Sequence, residues 1–406
     1  MPIRIVDSLS AVALAAVAFA AGVNGAAGAR PPGRVVSHVS DAASSVSPMH
    51  GRHPSAPSTG EEIFRATCAG CHGADGRGTP RTTVGFAVPL PDFTDCNVGT
   101  READVDWRAI VRDGGPVRGI SRIMPAFRDL LTPEQIRSVV AYLRTLCRGR
   151  GWPRGEFNLP LALITEKAFP EDEVVLTSTI DTHGPGAVEN HLIFEKRFGA
   201  RDQIEVDVPF GFRGRPRGAS WVGGLGDVSI APKHVFYSSL AKGTIVSGLM
   251  GVILPTGSRA TGLGTGTTAF EGFLLAAQLL PRRSYFQFQG GVELPTDPAR
   301  AARTASWSGV LGTTLAAGPI SRIWSPAIEV AGSRDLVRGA SVDWDMVPQL
   351  QVSLSALQHV RAGAGIDVPL TQTEMRRPQI RAYVLWDTFD GPLSGGWKGW
   401  CPGCQH

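Results

Sequence analysis

The stretch VDWDMVPQLQVSLSA, residues 342–356, sets Val342, Trp344, Met346, Leu350, Val352, Leu354 and Ala356 against Asp343, Asp345, Gln349, Gln351, Ser353 and Ser355. A period of two is that of a β-strand, whose successive side chains point to opposite faces. The run lasts about fifteen residues, against five or six in an ordinary soluble strand. The same alternation recurs outward from it. Val360, Ala362, Ala364, Ile366, Val368 and Leu370 follow on the C-terminal side. On the N-terminal side, Ile204, Val206, Val208, Phe210 and Phe212 frame Glu205, Asp207 and Gly211, and Phe286, Phe288, Val292 and Leu294 frame Gln287, Gln289 and Glu293. Each strand has one oily face and one wet face.

About twelve such strands are expected, near residues 173–182, 187–198, 202–212, 224–238, 243–256, 268–280, 283–295, 305–316, 320–332, 342–357, 359–371 and 379–389. Connections around Gly199-Ala200, Ala241-Lys242, Pro281-Arg282, Gly318 and Gln358 are tight, whereas those at 213–223, 257–267, 296–304, 333–341 and 372–378 are long. Only the brief 183–186 loop departs from that alternation. Short turns on one rim and long loops on the other are the pattern of an antiparallel outer-membrane barrel. A secreted β-sandwich or barrel is the competing reading.

At 406 residues the chain suits two or three domains. Its 49 Gly and 30 Pro, with 43% hydrophobic residues, agree with a turn-rich β part. The net charge of +4 comes from Lys and Arg scattered without runs, so there is no footprint for nucleic acid. Basic MPIR precedes an apolar run from Leu9 to Val23 that ends in Ala27-Gly28-Ala29. Residues 1–29 therefore read as a secretory signal, with an uncleaved anchor as the alternative. Residues 30–57 lack periodicity and read as a disordered linker. Its His38, His50 and His53 are read as solvated, although they could bind a metal.

Residues 58–150 form the next domain, helical up to Cys147. Ser58 with Glu61, or Thr59 with Glu62, is a capping-box pattern. Asp104–Arg112 is a short helix ended by Gly114-Gly115, and Thr132-Pro133-Glu134-Gln135 opens a last helix with Ile136, Val139, Val140, Leu143 and Leu146 on one face. Within this domain Cys68-Ala69-Gly70-Cys71-His72 is a c-type haem attachment pattern. Both thiols can form thioethers to the vinyl groups, and the His turns its imidazole to the iron. A chance match or a zinc half-site is the bland alternative. Met124, in Ile123-Met124-Pro125-Ala126-Phe127, is the candidate sixth ligand, because Pro125 holds the chain extended before the last helix. A core methionine is the alternative. His and Met ligation fills both axial sites and suits electron transfer rather than oxygen chemistry. Cys96 and Cys147 are a candidate disulfide in an exported domain, or else buried thiols. Cys401-Pro402-Gly403-Cys404 lacks a following His and reads as a local disulfide or as having no role.

These residues resemble the single-haem class I c-type cytochromes related to oxidase-associated subunits. The matching elements are Cys68 to His72 continuing through Gly73-Ala74-Asp75-Gly76-Arg77-Gly78, then Pro91-Asp92-Phe93, then Met124-Pro125-Ala126-Phe127 and the helix to Leu146. The resemblance implies a three-to-five-helix fold with one covalent haem c, Cys68 and Cys71 as thioethers, and His72 and Met124 as axial ligands to the haem iron. Residues 151–389, the β-barrel domain, resemble outer-membrane porins by pattern, and residues 390–406 form a C-terminal tail. Together the halves resemble fused cytochrome–porin proteins.

The resulting expectation is a small all-α cytochrome domain followed by an all-β antiparallel barrel, acting as an electron carrier rather than an enzyme. The cytochrome faces the periplasm, with periplasmic redox proteins or a small redox donor or acceptor as partners. The alternatives are a transport or binding barrel with an accessory haem domain, an oxidase of an external metal ion, and a soluble periplasmic location. Twelve strands about 4.8 Å apart and tilted about 40° give a backbone diameter of roughly 24 Å. A 90-residue domain is roughly 30 Å wide. The cytochrome is therefore expected at the mouth and not in the lumen.

Overall fold

The computed structural model describes residues 59–181, 183–214, 220–316, 323–355 and 358–388. The expected signal, the linker with His38, His50 and His53, and Cys401 and Cys404 lie outside the described residues. Helices and strands belong to one compact unit, residues 55–406.

The described helices are α1 Gly60–Thr67, α2 Ala69–His72, α3 Arg81–Val84, α4 Cys96–Arg101, α5 Asp104–Asp113 and α6 Pro133–Leu146. Of the two capping-box candidates, Thr59 with Glu62 forms. The Thr59 hydroxyl accepts from the Glu62 N–H at 3.2 Å, and the Glu62 carboxylate accepts from the Thr59 N–H at 3.0 Å. Thr132 and Gln135 repeat the arrangement at α6. Ile63 and Phe64 of α1 pack on Ile136, Val139, Val140 and Leu143 of α6, with Phe93, Val111 and Leu131 completing the core. Burying each such side chain stabilises the fold by roughly 1.5–3 kcal/mol. Gly60 permits the approach, since a Cβ there would lie 2.1 Å from the Ser138 carbonyl oxygen. Cys96 and Cys147 are joined in a disulfide, with Cα atoms 4.9 Å apart.

The strands are β1 Glu173–Asp181, β2 Ala187–Phe198, β3 Asp202–Gly214, β4 Trp221–Leu225 continued as Val228–Ser239, β5 Thr244–Leu254 and β6 Ala269–Leu279. They continue as β7 Ser284–Pro295, β8 Thr304–Thr313 extended by Leu315–Ala316, β9 Ile323–Asp335, β10 Asp343–Ser353, β11 Val360–Pro369 and β12 Gln379–Asp387. Both parts of β4 pair with β3, and the register slips by one residue across Gly226-Asp227. Every neighbouring pair is antiparallel, and β12 pairs with β1 from Asp387↔Glu173 to Ile380↔Ile180. The sheet is thus a closed barrel of twelve strands, with no exposed edge.

The alternating faces fall as the sequence implies. Ile204, Phe212, Phe286, Leu294, Leu350 and Ile366 are exposed on the outer surface, while Gln203, Glu205, Asp207, Gln287 and Gln351 lie on the opposite, inward face. The inner face is not simply wet, however. Val175, Val235, Ile245, Leu275, Val310, Val347 and Leu385 also point inward and are buried.

The reason is a segment with no regular structure beyond a single turn at Gly155–Phe157. Residues 157–172 fold into the half of the lumen nearest the short turns and form a plug. Phe157, Leu159, Ala162, Ala168 and Phe169 pack on Val235, Ile245, Leu275, Ala277, Tyr285 and Val310. Buried backbone groups need partners, and the wall supplies them. The Leu161 N–H donates to Gln351, the Glu166 N–H to Gln289 at 2.7 Å, and the Glu171 N–H to Gln203 at 2.7 Å. The Gln287 amide and the Tyr383 hydroxyl donate to the carbonyls of Pro160 and Leu161.

Candidate functional site

The site begins where α1 ends. The Cys68 N–H still donates to the Phe64 carbonyl at 2.9 Å, and the His72 N–H donates to the Cys68 carbonyl at 2.9 Å, so Cys68 and Cys71 sit one turn apart on one side. Gly73, at φ 75°, reverses the chain. The loop folds back so that the Gly78 and Thr79 N–H groups bind the carbonyls of His72 and Cys71, each at 2.8 Å. These bonds fix the backbone of the motif from its solvent side.

Cys68 is half-buried and Cys71 exposed, and both are free thiols. Burial pushes the Cys68 thiol up, while its contact with the Thr67 hydroxyl opposes the shift. Burial pushes the His72 imidazole down, which favours the neutral form that can ligate a metal. His72 Nδ1 is buried without a hydrogen-bond partner. A buried polar atom left orphaned is costly in an apoprotein, and its presence beside two free thiols fits a histidine that a haem iron would engage.

Met124 is half-buried on the edge of the same apolar cluster, with Cys68, Ala69, Trp107 and Phe127. Its loop is tied to α5: the Gly115 N–H donates to the Met124 carbonyl at 3.0 Å, and the Phe127 N–H donates to the Val111 carbonyl at 3.0 Å. Gly114 and Gly115 do more than end the helix. A Cβ on Gly114 would lie 3.1 Å from the Met124 carbonyl oxygen, and one on Gly115 would lie 2.3 Å from that of Ser121. Two residues without side chains thus seat the methionine loop.

Sequence reasoning did not single out Trp107 and Arg144. The Phe93 ring lies 5.0 Å from the His72 ring and 5.4 Å from Trp107, and the Arg144 guanidinium stacks 3.9 Å over Trp107. Arg144 also donates to the Glu102 carbonyl and to Asp104. Asp104 and Glu102 lie where the helical region meets the barrel. The Asp104 N–H donates to Glu156 at 3.1 Å, Arg154 donates to Asp104 at 2.6 Å, and Glu102 faces His359 at 3.8 Å. Arg101 makes a fully buried ion pair with Asp172 at the foot of β1. Gly155 is pressed so closely on the Arg101 carbonyl that a Cβ there would overlap it. The helical region therefore stands on the short-turn rim, outside the lumen.

A helical domain carrying the Cys68–His72 motif, standing on a closed twelve-stranded antiparallel barrel with an apolar outer surface, defines a class: a cytochrome domain fused to a porin-like barrel. Residues 55–143 match the family described as cytochrome C oxidase, cbb3-type, subunit III, so this part of the chain is a c-type cytochrome domain, which implies haem c. Among solved structures, the chain is similar to the KdgM porin, at 9% identity over 53% of this chain and 98% of that one, with a TM-score of 0.35. It is also similar to an outer membrane channel from Pseudomonas putida F1, at 12% identity over 54% of this chain and 96% of the other, with a TM-score of 0.38.

Proposed function

We propose that this chain is an outer-membrane electron-transfer protein that passes single electrons through one covalently attached haem c, held at the periplasmic rim of the barrel. Cys68 and Cys71 would carry the thioether bonds, and His72 and Met124 would hold the iron. The bound haem would supply reversible one-electron iron chemistry. The observation that carries this reading is the turn from Cys68 to His72, with two free thiols, an orphaned buried imidazole nitrogen and the Met124 loop on the edge of one apolar cluster.

The residues around the group have separable tasks. The loop from Gly73 to Thr79 fixes the attachment turn, Gly114 and Gly115 seat the sixth ligand, and Phe93 and Trp107 keep water from the His72 side. With His72 and Met124 both holding the iron, no place on it would be left for a substrate, which favours a carrier over an oxygen-activating enzyme. Ile120, Ile123 and Leu130 are exposed beside the Met124 loop. Such an apolar margin suits transient docking of a periplasmic redox protein. Short turns lie on the periplasmic side of outer-membrane barrels, and the contacts of the helical domain are with that rim. The plug of residues 157–172 argues against passive conduction of a solute.

The test is acid–acetone extraction with haem staining of fractionated cells. Wild-type protein is expected to keep its haem in the outer-membrane fraction, and Cys68→Ala or Cys71→Ala to weaken attachment. Complete extraction of haem from wild type, or a freely soluble protein, overturns the reading.

A further inference from the structure

We propose that the barrel lumen binds one divalent metal cation, clamped between plug and wall by the carboxylates of Glu166, Glu195 and Glu205. Glu166 belongs to the plug, Glu195 to β2 and Glu205 to β3. One carboxylate oxygen from each lies within 4.8 Å of the others. Divalent cations with oxygen ligands take them at roughly 2.0–2.6 Å, so ligands on one ion stand about 3 to 5 Å apart. The three carboxylates already have that spacing.

A second observation points to a ligand. Glu195 is only 7% exposed, and its Oε2 is buried with no hydrogen-bond partner. Glu205 Oε2 is orphaned in the same way. The cation already present does not reach them. Lys233 Nζ lies 2.9 Å from Glu166 Oε1 and 3.5 Å from Glu195 Oε1, while Gln203 also donates to Glu195 Oε1. Oε1 of Glu166 and Oε1 of Glu195 are thus satisfied, and Oε2 of Glu195 and Oε2 of Glu205 are not. Lys167, the other buried ammonium, is taken by Glu171 and Glu173, each at 2.8 Å. Three ionised carboxylates around one ammonium carry two negative charges in excess, which one divalent ion would balance.

The lumen beyond the plug has the matching charge. Glu271 and Glu293 stand directly opposite each other in register on the inner face of β6 and β7. Like charges so placed are destabilising by themselves, and they line the way from the long-loop mouth with carboxylates that attract cations. The oxygen-only donor set fits a hard ion such as Mn2+ or Ca2+ rather than one preferring thiolate.

The full chain with its haem, in detergent micelles, is titrated with Mn2+, and free ion is read by its paramagnetic resonance signal. One Mn2+ per chain is expected, with affinity lowered roughly tenfold or more in Glu205→Gln and in Glu195→Gln. Asp345→Asn, a lumen carboxylate already bound to Arg376 at 2.6 Å, is expected to change affinity less than about twofold. Glu205 is only half-buried, so its variant keeps the test alive if Glu195→Gln fails to fold. No saturable Mn2+ binding by wild type, or wild-type affinity in Glu205→Gln, overturns the proposal, whatever the haem assays give.

Discussion

Leu274 lies at the middle of β6, and 51% of its surface is exposed on the outside of the barrel. Its cross-strand neighbours are Gly248 and Gly290, so no side chain directly beside it covers it or offers a polar partner. If that surface faces lipid, Leu274→Arg places a charge near mid-bilayer and costs roughly 2–4 kcal/mol. That is a fall of about 30- to 900-fold in the folding equilibrium constant. If it faces water, the same substitution stays within about 0.5 kcal/mol of wild type. Leu275, one residue on, points inward, is fully buried and packs in the plug cluster with Phe157 and Phe169. Leu275→Ala should cost roughly 2–5 kcal/mol in either setting, as a large-to-small change in a packed core. The assay is urea unfolding in lipid vesicles, read as the shift between fast and slow gel migration without boiling. Loss of stability in both variants fits a membrane barrel. Wild-type stability in Leu274→Arg with a destabilised Leu275→Ala refutes the lipid-facing belt and leaves a water-soluble barrel with a filled interior.

Met124→His should keep the haem low-spin and lower its midpoint potential, because imidazole favours ferric iron more than thioether does. A redox titration reads the shift, and an unchanged potential removes Met124 from the ligand set. The Cys96–Cys147 disulfide closes a loop of 51 residues, so replacing both with Ser should cost the helical domain about 4 kcal/mol by the chain-entropy model, seen as a lower melting temperature of its Soret signal. Arg101→Ala leaves Asp172 with Lys196 at 2.7 Å, so its cost should be nearer 1–3 kcal/mol than that of a fully stranded charge; faster proteolysis between residues 147 and 157 is the readout. Burial is the main influence that pushes the Glu102 carboxyl up to about 7, although 37% of its side chain is exposed. The folded state then holds this proton where the unfolded chain has released it, so its contribution to stability declines as pH rises from about 4.5 to 7. Glu102→Gln should flatten that part of the stability profile, and an identical slope in the variant would exclude Glu102 as its source.

The strands were legible because each separates two unlike surroundings, which forces the alternation seen at residues 342–356 and 204–212. The turn from Cys68 to His72 was legible because its residues are neighbours in sequence. Met124 was singled out from Pro125 as part of an extended segment, but it closes a turn, its N–H donating to the Ser121 carbonyl at 3.2 Å. The plug was not legible. Residues 157–172 have no period, and their backbone partners Gln289 and Gln351 lie 123 and 190 residues away from Glu166 and Leu161. Those glutamines look like water-facing side chains when read along their own strands. The carboxylate cluster was hidden for the same reason, since Glu166 meets Glu195 and Glu205 only through the plug. Trp107 and Arg144 are ordinary helical residues until α5 and α6 bring them face to face.

Both ends of residues 157–172 leave the lumen at the same rim, one toward Gly155 and the other into β1. The plug is therefore a re-entrant loop rather than a threaded cord, and the ring of strands can zip shut before the loop is tucked in. It also means that the stopper is held mainly by the barrel. Most of the hydrogen bonds that hold the stopper are made to the wall and not to the cytochrome. Cutting the chain just after Cys147 would remove the helical domain and leave the barrel stoppered, so another domain could be grafted at that point without emptying the lumen.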